Sequence, residues 1–246
     1  MEESRVYPGP AVEELPAALD YVMPNGIVTP DDVSAAVRLG SSLGLASVSV
    51  PSGDADLAVR LLEGSQTAAA SLVGWPFGLG STAAKLYEAR DLLRRGVKEI
   101  EFVVNLGKLA ARQFQHVESE LLQISKSCQE NGALLKVVLE TQHLAEDLKV
   151  IACKIVKRTE AAMVVTSAYP AEDGSEPANA ALLKRVSKDV CAVSACAGGL
   201  EEALDRFGTG CTRLRTASPE ALLAQLKAHV ETLAQAPHPP SGAGPA

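Results

Sequence analysis

Eight short apolar runs, each about the length of a strand and most followed by a longer stretch of helical periodicity, constrain this chain more than any other feature. The runs cover residues 18–23, 46–50, 68–74, 99–104, 134–140, 161–166, 190–196 and 211–215. They are rich in Val and Ala and read as buried strands. Helical periodicity marks 33–43, 79–95, 109–129, 144–158, 179–187 and 218–234. Thr29-Pro30-Asp31-Asp32 gives the first helix an N-cap, a proline at its first position and acids in its first turn. Gly44, Gly96 and Gly132 stand where helices should end, just before the next strand. About eight strand–helix units in 246 residues predict an α/β fold, a single-domain (β/α)8 TIM barrel, which typically takes about 250 residues. The competing layout is an open doubly wound sheet, and the regular spacing without a long interruption favours the barrel. The barrel is expected over 11–235. The Pro/Gly-bearing ends, 1–10 and 236–246, are expected to be disordered tails.

Composition narrows the function classes. The net charge is −7 and only 4% of residues are aromatic, which argues against nucleic acid, since that partner wants a basic surface and stacking platforms. No apolar run reaches the roughly 18 residues of a membrane helix. Five cysteines without a CxxC, and a polar, acidic N-terminus, predict reduced thiols in a cytoplasmic protein.

Chemistry in a barrel stands at the C-terminal ends of the strands. Gly78-Leu79-Gly80-Ser81-Thr82-Ala83 fits a dinucleotide fingerprint, with Glu99 and Glu101 about 20 residues on. Two complete strand–helix units precede it, however, and Pro76 lies in the turn, so no nicotinamide cofactor is expected. The same segment has another explanation. Leu72-Val73-Gly74-Trp75-Pro76-Phe77-Gly78, then Lys85-Leu86-Tyr87-Glu88, resembles the V-x-G-F-P-x-G and K-x-x-E motifs of the deoxyribose-phosphate aldolases. The resemblance continues through 98–105, through Leu134-Leu135-Lys136-Val137-Val138-Leu139-Glu140-Thr141 (family form L-L-K-V-I-I-E-T) and through Ala197-Gly198-Gly199. Asp20 and 44–50 extend it toward the N-terminus, so that it spans roughly 17–230.

That resemblance implies a class I aldolase that joins acetaldehyde to glyceraldehyde 3-phosphate through a lysine imine. The family's nucleophile lies in a K-T-S-T-G motif on strand six, where this chain reads Val165-Thr166-Ser167-Ala168. A second lysine, on strand seven, corresponds to Ala195, and a strand-four aspartate corresponds to Glu101. A valine forms no imine, and a carboxylate moved by one methylene can itself cost on the order of 100-fold. The family binds phosphate with the Gly-Gly pair after strand seven and with G-x-S-S after strand eight. Here Gly198, Gly199 and Ser218 remain, but Arg215 stands at the glycine and Ala217 replaces a serine. The pocket is then either filled, or Arg215 forks another small anionic ligand.

Glu101 and Lys136 remain as candidate catalytic groups, with His143 beyond strand five as a further acid or base. Lys136 is expected inside the barrel, paired with Glu101 or Glu140. Cys196 and Cys211 are expected to be small buried apolar groups. No metal site is expected, because the four histidines stand apart from any carboxylate or cysteine cluster. Three functions are compatible with this pattern. One is an aldolase-like barrel inactive in aldol chemistry and kept for binding or assembly, as a homo-oligomer or a hetero-oligomer with an active paralogue. The others are a lyase-type enzyme of altered chemistry and a residual aldolase using a displaced lysine.

Overall fold

The structure, a computed structural model, describes residues 7–170, 174–188, 190–196 and 198–235. Eight parallel strands close into one barrel in sequence order. They are β1 Leu19–Val22, β2 Ser47–Ser49, β3 Ala68–Val73, β4 Glu99–Val103, β5 Leu134–Val138, β6 Met163–Val165, β7 Cys191–Ala195 and β8 Arg213–Thr216. Closure is made by β8 against β1, with Asp20 opposite Arg215. The outer ring among the described residues is α1 Pro30–Leu43, α2 Ala55–Leu61, α3 Thr82–Arg94, α4 Leu106–Ala110, α5 Phe114–Glu130, α6 Glu146–Arg158, α7 Glu176–Ser187, α8 Leu200–Gly208 and α9 Pro219–Gln235.

Local chemistry sets these boundaries. At α1, Thr29 and Asp32 form a reciprocal capping box, Pro30 opens the helix, and Gly44 ends it at φ +71°. Ser81 caps α3 by accepting the Ala84 amide at 3.3 Å. The fingerprint glycine Gly78 has a packing role. Its amide donates to the Gly74 carbonyl at 2.8 Å, and a Cβ there would meet the Val104 and Val103 carbonyl oxygens at 2.2 and 2.6 Å. A side chain would force the β3–α3 turn off the end of β4.

The helix expected over 109–129 is two helices. Arg112, at φ +57°, breaks the chain between α4 and α5 and pairs with Asp147 at 2.6 Å. Helices α2 and α8 were not expected. Of the proposed leading tail, residues 1–6 lie outside the described residues, but Tyr7 packs against the α8–α9 cluster, its ring 6.4 Å from His229. The trailing segment 236–246 lies outside them too.

Apolar side chains form a sleeve between sheet and helices, divided into a large cluster under α3–α6 and smaller ones under α8–α9 and α1–α2. A fourth cluster, Val103, Val138, Met163, Val165, Ala168 and Val193, lies on the β4–β7 side of the barrel. It fills only part of the interior, and charges fill the rest.

Candidate functional site

Strand residues two apart share a face, and this places Glu99 with Glu101 on β4 and Arg213 with Arg215 on β8. Together with Asp20 of β1 and Lys136 of β5 they build a column of buried charge. All six are less than 9% exposed, and Asp20, Glu101, Lys136 and Arg215 are fully buried. At one end Arg213 donates to Asp20 at 2.7 Å and to both oxygens of Glu99 at 2.9 Å. Lys136 Nζ comes next, at 2.6 Å from Glu99, 2.9 Å from Asp20 and 3.3 Å from Glu101. At the mouth end the Arg215 guanidinium forks onto the Glu101 carboxylate, and its Nε donates to the Ala168 carbonyl at 3.3 Å. Ser47 donates to Asp20 and Ser49 to Glu101, each at 2.6 Å. Three cations face three carboxylates, and the formal charge of the column is zero.

Burial alone would disfavour every one of these ions, so the pairing has to outweigh it. Desolvation works against ionised Glu101, but Arg215 and Lys136 more than offset it and bring its pKa down to about 2. Lys136, Arg213 and Arg215 likewise hold Asp20 well below the usual carboxylate range against its burial. Lys136 is also desolvated, yet Asp20, Glu99 and Glu101 raise its pKa above that of a free lysine. Its amine is therefore locked as an ammonium. The expected pairing of Lys136 with Glu101 is present, joined by Asp20 and Glu99. Glu140 lies elsewhere, at the mouth, accepting from the Ala168 amide at 2.9 Å and from Gln142 at 2.8 Å.

Val165 and Ala195 occupy the contrasting wall. Val165 is fully buried among Val138, Val193 and Ala168. Ala195, also fully buried, lies opposite Arg215 in the β7–β8 register. Arg215 thus projects its charge from the strand next to the alanine.

The anion-site residues are only partly gathered. Gly198, at φ +115°, adjoins Ser218, since a Cβ on the glycine would stand 3.2 Å from that of the serine. Gly199 caps α8. Two of the amides there are already used: Leu200 donates to Gln225 at 3.1 Å and Ser218 to Thr216 at 3.1 Å. Pro219, the first residue of α9, has no N–H. Arg215 does not join this group, because its guanidinium is taken by Glu101. His143 is exposed, with its ring edge-on to Phe77 at 5.3 Å. Cys196 and Cys211 are buried, and burial pushes the Cys196 thiol up to about 12.

Three participants went unrecognised in the sequence. Tyr169, in the loop after β6, packs edge-on against Trp75 at 5.8 Å and lines a mouth cavity. Glu99 and Arg213 complete the charge column. Their signal was available as charge at period two in otherwise apolar strands, in Glu99-Ile100-Glu101 and Arg213-Leu214-Arg215. Glu176, the first residue of α7, is a separate buried carboxylate whose pKa burial raises to about 7. One of its oxygens accepts from Thr166 at 2.9 Å and Ser167 at 2.5 Å.

No family model matches the chain. It is 29% identical over 213 residues to the deoxyribose-phosphate aldolase of Treponema denticola, covering 85% of this chain and 98% of that one. It is 31% identical over 180 residues to the deoxyribose-phosphate aldolase of Histophilus somni, covering 72% of this chain and 79% of the relative. Among solved structures, a deoxyribose-phosphate aldolase from Aeropyrum pernix, described as a unique tetramer, superposes with a TM-score of 0.78 at 24% identity, covering 89% and 93% of the two chains. No helix of the described residues is long and apolar enough to cross a membrane.

Proposed function

This chain belongs to the deoxyribose-phosphate aldolase family, and from that premise we propose that it has left imine chemistry and works as a binding or assembly barrel. The observation that carries this reading is Arg215. An imine-forming lysine must reach its reactive, unprotonated amine near neutral pH. The wall where the family's two lysines are expected carries Val165 and Ala195, and a permanent cation from β8 is neutralised by Glu101 beside them. The interior lysine, Lys136, lies within 3.3 Å of three carboxylates and stays protonated. Glu101 and Lys136 are spent on one another and on their neighbours, which leaves neither as a free acid or base.

The reading extends to a cytoplasmic protein that associates with copies of itself or with an active paralogue. The buried thiols of Cys128, Cys153 and Cys196 support the compartment, and the tetramer described for the Aeropyrum pernix protein supports assembly. The decisive experiment is reduction with borohydride in the presence of acetaldehyde, followed by intact-mass measurement, beside a coupled assay of retro-aldol turnover of 2-deoxyribose 5-phosphate. No adduct and no aldehyde release are expected. An adduct mapped to Lys136, or turnover at a family-like rate, would overturn the reading.

A further inference from the structure

The barrel mouth holds a cavity of about 380 Å³ on its β1–β3 side, with Tyr169 among its lining residues. That is the small end of the usual range for ligand sites, roughly 300–1,000 Å³. None of Gly198, Gly199 or Ser218 borders it, and among the described residues no Lys, Arg or His lines it. Two of its polar groups offer acceptors. The Ser49 hydroxyl proton is committed to Glu101 at 2.6 Å. Glu88 takes the Gly74 amide on one oxygen at 3.3 Å. What these two groups present to an occupant is lone pairs, while Asn25 adds an amide that both donates and accepts. A phosphate would bring more acceptors and more negative charge to a site without a cation. The aromatic edges of Trp75 and Tyr169, 5.8 Å apart between centroids, supply apolar surface for C–H groups.

We propose that this cavity binds a small unphosphorylated polyhydroxy compound, whose hydroxyls donate to Ser49 and Glu88 and whose carbon chain lies against Trp75 and Tyr169. The proposal rests on the reading above of a barrel that binds without aldol chemistry, and it names the ligand class at that mouth. It also accounts for the anion loops across the barrel, where the Leu200 and Ser218 amides are internally satisfied.

Calorimetric titration of the full chain with ribitol and 2-deoxyribose, beside 2-deoxyribose 5-phosphate and ethanolamine, tests it. Saturable binding of at least one of the two neutral compounds is expected, at least tenfold tighter than that of the phosphate ester. Glu88→Gln and Trp75→Ala should each weaken it fivefold or more. Trp75 is 42% exposed, so its variant should fold, and an unchanged melting temperature checks this. Equal or tighter binding of the phosphate ester, binding of ethanolamine alone, or no heat with either neutral compound would overturn the assignment. The turnover assay separates the two claims. Aldehyde release would remove the functional reading and leave the cavity to be judged by titration, whereas a silent titration without turnover removes the cavity assignment alone.

Discussion

The two walls of the barrel interior solve the same packing problem with opposite chemistry. Along β6 and β7 the space is filled by Met163, Val165, Val193 and Ala195, and dispersion and exclusion of water suffice. Along β8, β1, β4 and β5 it is filled by six ions in a neutral column. An apolar wall tolerates the loss of one member by leaving a void. A charge column does not, because each ion is solvated only by its neighbours.

The largest effect should follow from removing one end of the column. Arg215→Met leaves Glu101 buried without its fork and is expected to lower stability by about 3–5 kcal/mol in urea unfolding. A loss under about 1 kcal/mol would show that water reaches Glu101. Val193→Ala, on the neighbouring strand β7, should cost about 2 kcal/mol, from methylene transfer plus a residual void. If it proves the costlier of the two, the contrast between the walls is wrong.

Acid sharpens the comparison through Glu101 and Glu176. The Glu101 pKa is depressed from 4.5 to about 2, so its stabilisation is full above 4.5 and lost as pH falls through about 2. Among the described residues no cation hydrogen-bonds to Glu176, and burial raises its pKa from 4.5 to about 7. Its contribution is full below 4.5 and lost as pH rises through about 7. Between these values stability should fall with rising pH by up to about 1.4 kcal/mol per unit from this group. Glu176→Gln should remove that slope, and melting curves across pH 4–8 would detect its persistence. The smallest effect belongs to the surface. Glu118 and Arg158 pair at 2.6 Å with the arginine about half exposed, and Arg158→Ala should cost about 0–1 kcal/mol by the same unfolding assay.

The sequence made the sleeve legible and the column only in part, through the Lys136–Glu101 pairing, for a physical reason. Strand and helix periodicity is a local property, so the eight runs coincide with β1–β8 to within a few residues. Helix α2 escaped because it is seven residues long and its N-cap Asp54 makes no capping bond. Helix α8 follows Gly198-Gly199, which reads as loop. The break at Arg112 carries no proline or glycine to announce it. The Arg213–Asp20 contact joins residues 193 apart in the chain, and periodicity carries no information at that distance. Arg215 showed the limit most plainly. Its position in the family motif leaves open a filled pocket or a fork for another small anion, while its side chain turns to Glu101, a partner on a strand far away in sequence.

On the proposal that this barrel has left imine chemistry, Arg215 also bears on whether that chemistry could return. A lysine restored at position 165 or 195 would enter a space already facing a guanidinium that does not give up its proton. Val165→Lys with Ala195→Lys should therefore recover little turnover. Replacing Arg215 first would strand Glu101, so either order of changes passes through an intermediate with a mismatched interior charge. On that proposal the column works as a ratchet: its ions are replaceable only in company, and single changes lead through a mismatched interior charge.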